Sequence, residues 1–307
     1  LLKYISNYFL FPPPCYTKLM FWIPLSFFSA IIFASRRAYE KTLTKSFGNF
    51  SVGFLIQSFS ILPTLLLFFF LPLPPDALHL SWQFWWPLLI IWFVLYPIQT
   101  HFLYRSLREG ALSHVTPIMA LLPVFNTLTS LVIIGELPTK LGFVGILFIV
   151  VGTYLLLYEG KHRIGEKYNR AVVYMIIATA CTALGTTLDK VSILASTPVF
   201  YSFMNTIGAS VVFLVLLHLY RQKDELQKVP ALFLPLTLFG ILQALSYTAS
   251  MLAFSYGPTA YVLAIRSSGF LFATFIGIFL LKEKFSLRKG VSLMMFFIGI
   301  LLLTVGA

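Results

Sequence analysis

The sequence predicts an all-α membrane protein of ten transmembrane helices arranged as two inverted five-helix repeats. Three observations carry that prediction. Of 307 residues, 59% are hydrophobic and 10% charged, with a mean hydropathy of +0.89, whereas soluble domains are about 45–50% apolar and about 25% charged. The chain divides into ten apolar runs, each close to the roughly 20 residues that cross about 30 Å of hydrocarbon. Landmarks of the first half recur in the second at a nearly constant offset. The same composition excludes disorder, and two cysteines, Cys15 and Cys181, exclude a disulfide scaffold or a four-thiolate zinc site. A net charge of +12 has no soluble basic face on which to hold nucleic acid, so its natural partner is the lipid bilayer surface.

Residues 1–18 are read as an N-terminal interfacial segment, because residues 1–11 are too short to span and stop at Pro12-Pro13-Pro14. They do not resemble a cleavable signal peptide. The first repeat, 19–158, holds spans at 19–40, 50–71, 84–107, 111–134 and 138–158. A charged loop, 159–169, leads to the second repeat, 170–307, with spans at 170–192, 198–220, 230–255, 258–281 and 286–306. No connection is long enough to fold as a soluble domain, so any chemistry takes place within the bundle. Pro24, Pro63, Pro87, Pro97, Pro117, Pro123 and Pro235 fall within spans, where each is expected to remove a backbone hydrogen bond and bend its helix.

With a shift of 147 residues, Gly110 falls on Gly257, Glu136 on Glu283 and Gly152 on Gly299. Nearer the start of each half, Glu40-Lys41 matches Asp189-Lys190 with a shift of 149. Each half has an odd number of spans, so the second enters the membrane from the opposite side and the repeats are inverted. Inverted repeats place polar sites near the bilayer midplane.

The stretch LREGALSHVTPIMALLPVFNTLTSLVIIGELPTKLGFVGILFIVVGTYL, Leu107 to Leu155, resembles the second part of an EamA domain. It has a short-loop helix pair, a proline within an apolar span, then Gly-Glu and two spaced glycines. The second half keeps Gly257, Glu283 and Gly299 but has Lys282 for the glycine before the acid and Ser292 at the position of Gly145. Residues 19–306 together resemble a ten-helix member of the drug/metabolite transporter superfamily. The resemblance implies alternating access around a midplane site lined by helices one, three, four, six, eight and nine. It leaves the substrate open among amino acids, sugars, nucleotide-linked and other metabolites.

Polar residues inside apolar spans are expensive and face protein or water. On the first span Ser26, Ser29, Phe33, Arg36, Arg37 and Glu40 follow the helical period, and on the sixth Thr179, Thr182, Thr186 and Asp189 do the same. Arg36 and Glu40 are read either as part of a cavity or as an i,i+4 pair snorkelling to an interface. Tyr96, Gln99 and Thr100 align with Gln243, Ser246 and Tyr247 and read as two pseudo-symmetric faces of one cavity, the alternative being plain interhelical hydrogen bonding. Arg266, about eight residues into the ninth span, lies too deep for easy snorkelling. It reads as the substrate contact, the alternative being a structural pair with Asp189 or Glu40. Glu40, Asp189, His101 and His114 are candidates for proton coupling, though each imidazole equally reads as a packing residue. No third ligand stands near the two histidines, so no metal and no other cofactor is expected. Glu136 and Glu283 read as charges at helix N-termini.

No G-x-x-x-x-G-K-[ST] motif is present, which leaves a gradient or exchange as the energy source. No nucleophile with a positioned base, and no paired acids, point to an enzyme. The sequence thus reads as a secondary transporter of a small polar metabolite. Three in-span arginines against two in-span acids favour one bearing a carboxylate or phosphate. The alternative is a non-transporting receptor or assembly subunit. The expected partners are the small-molecule substrate, the bilayer and protons, with the chain a monomer or homodimer in the cell (inner) membrane. Leaving aside Arg36, Arg37 and Arg266 within spans, and giving cations at span ends to the adjoining connection, the odd-numbered connections hold 15 Lys or Arg and the N-terminus and even-numbered ones 4. The positive-inside rule then places both termini outside, whereas the family resemblance implies the reverse.

Overall fold

The structure, a computed structural model, describes residues 21–69, 80–110, 115–157, 166–267, 269 and 287–305. Residues 1–18, His114, Lys282 and Glu283 lie outside these, as does the side chain of Arg37. The described residues form helices and no strands. The first repeat contains α1 (Trp22–Leu43), α2 (Asn49–Phe69), α3 (Trp82–Glu109), α4 (3-10 turns Thr116–Leu121 continuing as Leu122–Ile134) and α5 (Lys140–Leu157). The second contains α6 (Glu166–Leu194), α7 (Pro198–Leu219), α8 (Phe233–Tyr256), α9 (Thr259–Ser267 of the described residues) and α10 (Leu287–Val305).

Five of these are long and apolar enough on their own to cross a membrane: Asn49–Leu67, Trp82–Glu109, Arg170–Leu194, Pro198–Leu219 and Pro230–Tyr256. Among the described residues the apolar stretch is shorter in α1, α4, α5 and α10. Leu62, Phe93, Val132 and Phe297 lie exposed on the outside of the bundle. Apolar surface of that extent is costly in water and ordinary in a bilayer. The chain is an integral multi-pass membrane protein.

Packing reproduces the repeat. Helix α1 lies against α8 and α9, and its counterpart α6 lies against α3 and α4; α2 packs on α7, α4 on α9 and α5 along α10. Advancing every label by five turns this contact set into itself, as two halves related by a two-fold axis require. The backbone agrees at the aligned glycines. Both Gly110 and Gly257 are extended residues ending a helix, and their N–H groups donate to Ser106 O at 2.8 Å and Ala253 O at 2.9 Å.

Small residues let the helices approach. A Cβ on Gly240 of α8 would sit 2.2 Å from the carbonyl oxygen of Phe59 on α2. That oxygen stands four residues before Pro63, which has no N–H to offer it. Pro87 is likewise interior to its helix. Pro97 and Pro123 fall where their helices change type, Pro97 just after the π-helical turn Ile91–Leu95 and Pro123 just after the 3-10 turns Thr116–Leu121, so the missing N–H coincides with an irregularity in each helix. Immediately before Pro97, α3 widens to a π-helical turn, Ile91–Leu95, in which the Tyr96 N–H reaches back to Ile91 O.

Candidate functional site

Where the two repeats meet, a cavity of about 150 Å³ is lined by residues of eight helices. Arg36 and Glu40 enter it from α1, Gln57 from α2, Tyr96, Gln99 and Thr100 from α3, and Thr182, Thr186 and Asp189 from α6. Gln243 and Tyr247 enter from α8 and Arg266 from α9. The aligned positions therefore converge: Tyr96 with Gln243, Thr100 with Tyr247, and Met119 with Arg266 face one space. Helices α2 and α7, the latter through Phe213, join the six implied by the family resemblance.

The charges are handled in different ways. Arg36 donates from Nη2 to Glu40 Oε1 at 3.0 Å, one turn along α1, and its guanidinium lies 5.5 Å from the Phe239 ring centroid. Arg266 stacks over Phe33, 4.5 Å from the ring centroid, and lines the same cavity as Asp189. Asp189 accepts the Tyr201 hydroxyl through Oδ1. Among the described lining residues two arginines thus face two acids. The cationic excess read from the sequence rests on Arg37.

Neutral groups complete the wall. Gln99 Nε2 donates to Thr182 Oγ1 at 2.9 Å. Gln243 is buried on α8, and its Oε1 has no hydrogen-bond partner among the described residues. On α7, Asn205 donates from Nδ2 to the hydroxyls of Tyr96, at 2.6 Å, and Tyr247, and its Oδ1 accepts Trp92 Nε1 at 2.8 Å. Sequence reasoning missed Asn205, Tyr201 and Trp92. A lone amide in the apolar seventh span is itself a signal that could have found Asn205.

Other candidates lie elsewhere. Ser246 turns toward α1, its Oγ 3.2 Å from Ser29 Oγ, in a serine cluster where Ser29 also meets Ser250 at 2.6 Å. Thr179 is buried and bonded to Met175 O. His101 packs against Phe50 and Phe102 and is absent from the described lining. Glu136 follows Gly135, whose φ of 71° is the left-handed turn that ends α4. Its carboxylate serves a different helix from the one it precedes: Oε2 accepts the N–H and hydroxyl of Thr259, at 3.2 and 3.1 Å, at the start of α9. Its Oε1 accepts Lys190 Nζ, which also donates to Gly257 O at 2.9 Å. This clasp ties α6, the α4–α5 turn and the α8–α9 turn together beside the cavity.

The family model for EamA-like transporters matches residues 20–158 and 169–305, five helices in each stretch. The chain belongs to the EamA-like transporter family. Among solved structures 27 chains match this EamA-like fold. One crystal structure superposes with a TM-score of 0.71 at 15% identity, covering 92% of this chain and 97% of the other. At that identity the likeness speaks for the fold alone. No curated protein matches the sequence.

Proposed function

We propose that this EamA-like chain is a secondary transporter that moves a small polar metabolite bearing a carboxylate or phosphate by alternating access. The observation that supports it is the cavity itself, polar and walled by both repeats. A receptor or assembly subunit has no need of such a lining. Rocking of one repeat against the other exposes a site at their junction first to one side and then to the other. Arg266 is the proposed anchor, because a planar guanidinium can hold two anionic oxygens at once. Tyr96, Gln99, Thr100, Gln243 and Tyr247 supply hydrogen bonds without a fixed charge, strong enough to select and weak enough to release. Thr186 and Arg37 complete the proposed set. Glu40 and Asp189, both at the cavity, are better placed than His101 to carry a coupled proton; exchange is the alternative energy source.

Uptake into liposomes containing the purified chain tests the reading, with probes chosen by comparing the metabolites of cells with and without the protein. Carboxylates or phosphates should accumulate above empty liposomes, and dependence on an imposed pH gradient separates proton coupling from exchange. Arg266→Lys and Arg266→Ala should fold and lose affinity, since an ammonium cannot reproduce the fork. Normal transport by a folded Arg266→Ala protein removes Arg266 from the site. For orientation we propose cytoplasmic odd-numbered connections; labelling of a cysteine placed at Lys161 from outside the cell contradicts it.

A further inference from the structure

The α4–α5 and α8–α9 turns are even-numbered connections and so share one face of the membrane. Toward that face the cavity ends at the Glu136 clasp. Asp189, Met251 and Phe254 line the cavity, Lys190 directly follows Asp189, and Gly257 ends α8 just beyond Phe254. Lys190 Nζ donates to Glu136 and, at 2.9 Å, to Gly257 O. Glu136 belongs to the first matched stretch, and Lys190, Gly257 and Thr259 belong to the second. The bonds of this carboxylate to Lys190 and to Thr259 therefore cross the junction that must open when one repeat rocks against the other. A second layer crosses it too. Ser130 of α4 meets Thr259 Oγ1 at 2.8 Å, and Thr129 meets Thr187 Oγ1 of α6 at 2.7 Å. In the sequence the three members of the clasp are landmarks of the repeat, since Glu136, Lys190 and Gly257 align with Glu283, Lys41 and Gly110.

We propose that the Lys190–Glu136 clasp is the gate that closes the cavity toward the face of the even-numbered connections, and that it parts whenever solute passes on that side. This rests on the transporter reading and gives one of its two states the group that holds it shut. The chemistry suits a gate. With side chains 10% and 27% exposed, the closed pair is shielded enough to hold. Once parted, ammonium and carboxylate both meet the water entering the cavity, and their hydration offsets much of the lost attraction. An apolar seal would gain nothing from that water. A contact made in only one of two states sets their ratio, so removing it shifts the population toward the other state. Stability and gating can be separated. In Lys190→Met with Glu136→Gln no buried charge is left without its partner, yet the ionic bond and the tie to Gly257 O are both gone.

Cysteine labelling of the full chain in sealed membrane vesicles of each orientation tests this, with a membrane-impermeant maleimide as the probe. Cys15 and Cys181 are replaced by alanine, and one cysteine is placed at Thr186, which lines the cavity. With the native clasp, labelling from the even-numbered face should be the slower of the two. Lys190→Met with Glu136→Gln should label about tenfold faster from that face and more slowly from the other, as a shifted two-state equilibrium requires. Thr259→Val, which leaves Glu136 its bond to the Thr259 N–H, should do the same to a smaller extent. A merely structural role would loosen the bundle and speed labelling from both faces together, and that result overturns the inference. An unchanged rate in the folded double variant, with the parent labelled from both faces, also overturns it and leaves the transporter reading intact. Labelling from one face only, in the parent and in every variant, shows a cavity that does not alternate, and both readings fall.

Discussion

Helices α1 and α6 occupy equivalent places in the two repeats and carry the same acid-lysine step, yet they settle their charges in opposite ways. On α1 the acid is neutralised within its own helix, Glu40 by Arg36. On α6 the acid is held by a phenol of α7, and the following Lys190 reaches out to Glu136 and Gly257. The repeat fixes where polar residues stand, and each half then chooses its partners. What is internal to one helix moves with it; what crosses between elements holds them together. The described contacts of the two acid-lysine steps therefore differ although their places in the repeat are the same.

The largest expected effect tests that contrast directly. Lys190→Met should cost about 3 kcal/mol of stability, the low end for breaking a buried pair, because Glu136 keeps 27% of its side chain exposed. Lys190→Met with Glu136→Gln should recover most of it. Glu40→Gln should cost less, about 2 kcal/mol, because the amide oxygen can still accept Arg36 Nη2 within the same helix, although this pair is buried, with 9% and 2% side-chain exposure. Thermal unfolding in detergent measures all three, and equal losses at the two lysine-acid steps would erase the distinction.

A second comparison concerns equivalent interfaces, α2 with α8 and α7 with α3. Gly240 makes room for backbone, Phe59 O, whereas Gly208 makes room for the Trp92 side chain. Gly240→Ala should cost about 2 kcal/mol and Gly208→Ala about 1 kcal/mol, because a side chain yields more easily than a helix. The smallest effect sharpens the symmetry. Ser29→Ala, at α1–α8, and Thr182→Val, at α6–α3, should each cost about 0.6 kcal/mol, the usual value of a hydrogen bond between membrane helices. A large asymmetry between them would show that the two interfaces are not equivalent.

The ten helices and their repeat were legible because apolar length and the spacing of glycines and acids are properties of sequence alone. Tyr96, Gln99, Thr100, Gln243, Tyr247, Thr186, Asp189, Glu40 and Arg266 meet at one cavity because polar residues at helical period in an apolar span have only protein or water to face. Ser246 aligned equally well, but a serine is short enough to be satisfied by the nearest helix, and Ser29 supplies that. Asn205 aligns with Ser58, but the two make different contacts that alignment alone does not show: Ser58 meets Ser210 at 2.6 Å, and Asn205 reaches Tyr96 and Tyr247. Glu136 was recognised as a helix-end charge, but which N-terminus it serves depends on the turn at Gly135 and on the approach of α9, neither of which has a local signature.

The π turn of α3 leaves the two parts of that helix out of phase. Successive residues of an α-helix advance by about 100°, and one residue more in a turn shifts everything beyond it around the axis. Phe84 and Leu88 thereby seat in the large apolar core while Tyr96 and Gln99 look into the cavity. The offset between repeats falls from 149 at Glu40 to 147 at Gly110, so the first half carries two residues more in this stretch, and a π turn is a place to store one inside the membrane. Its counterpart α8 runs unbroken from Phe233 to Tyr256. One strut of the bundle is therefore irregular beside the cavity where its counterpart is continuous, and the facing of Tyr96 and Gln99 is set separately from the seat of Trp82–Ile90.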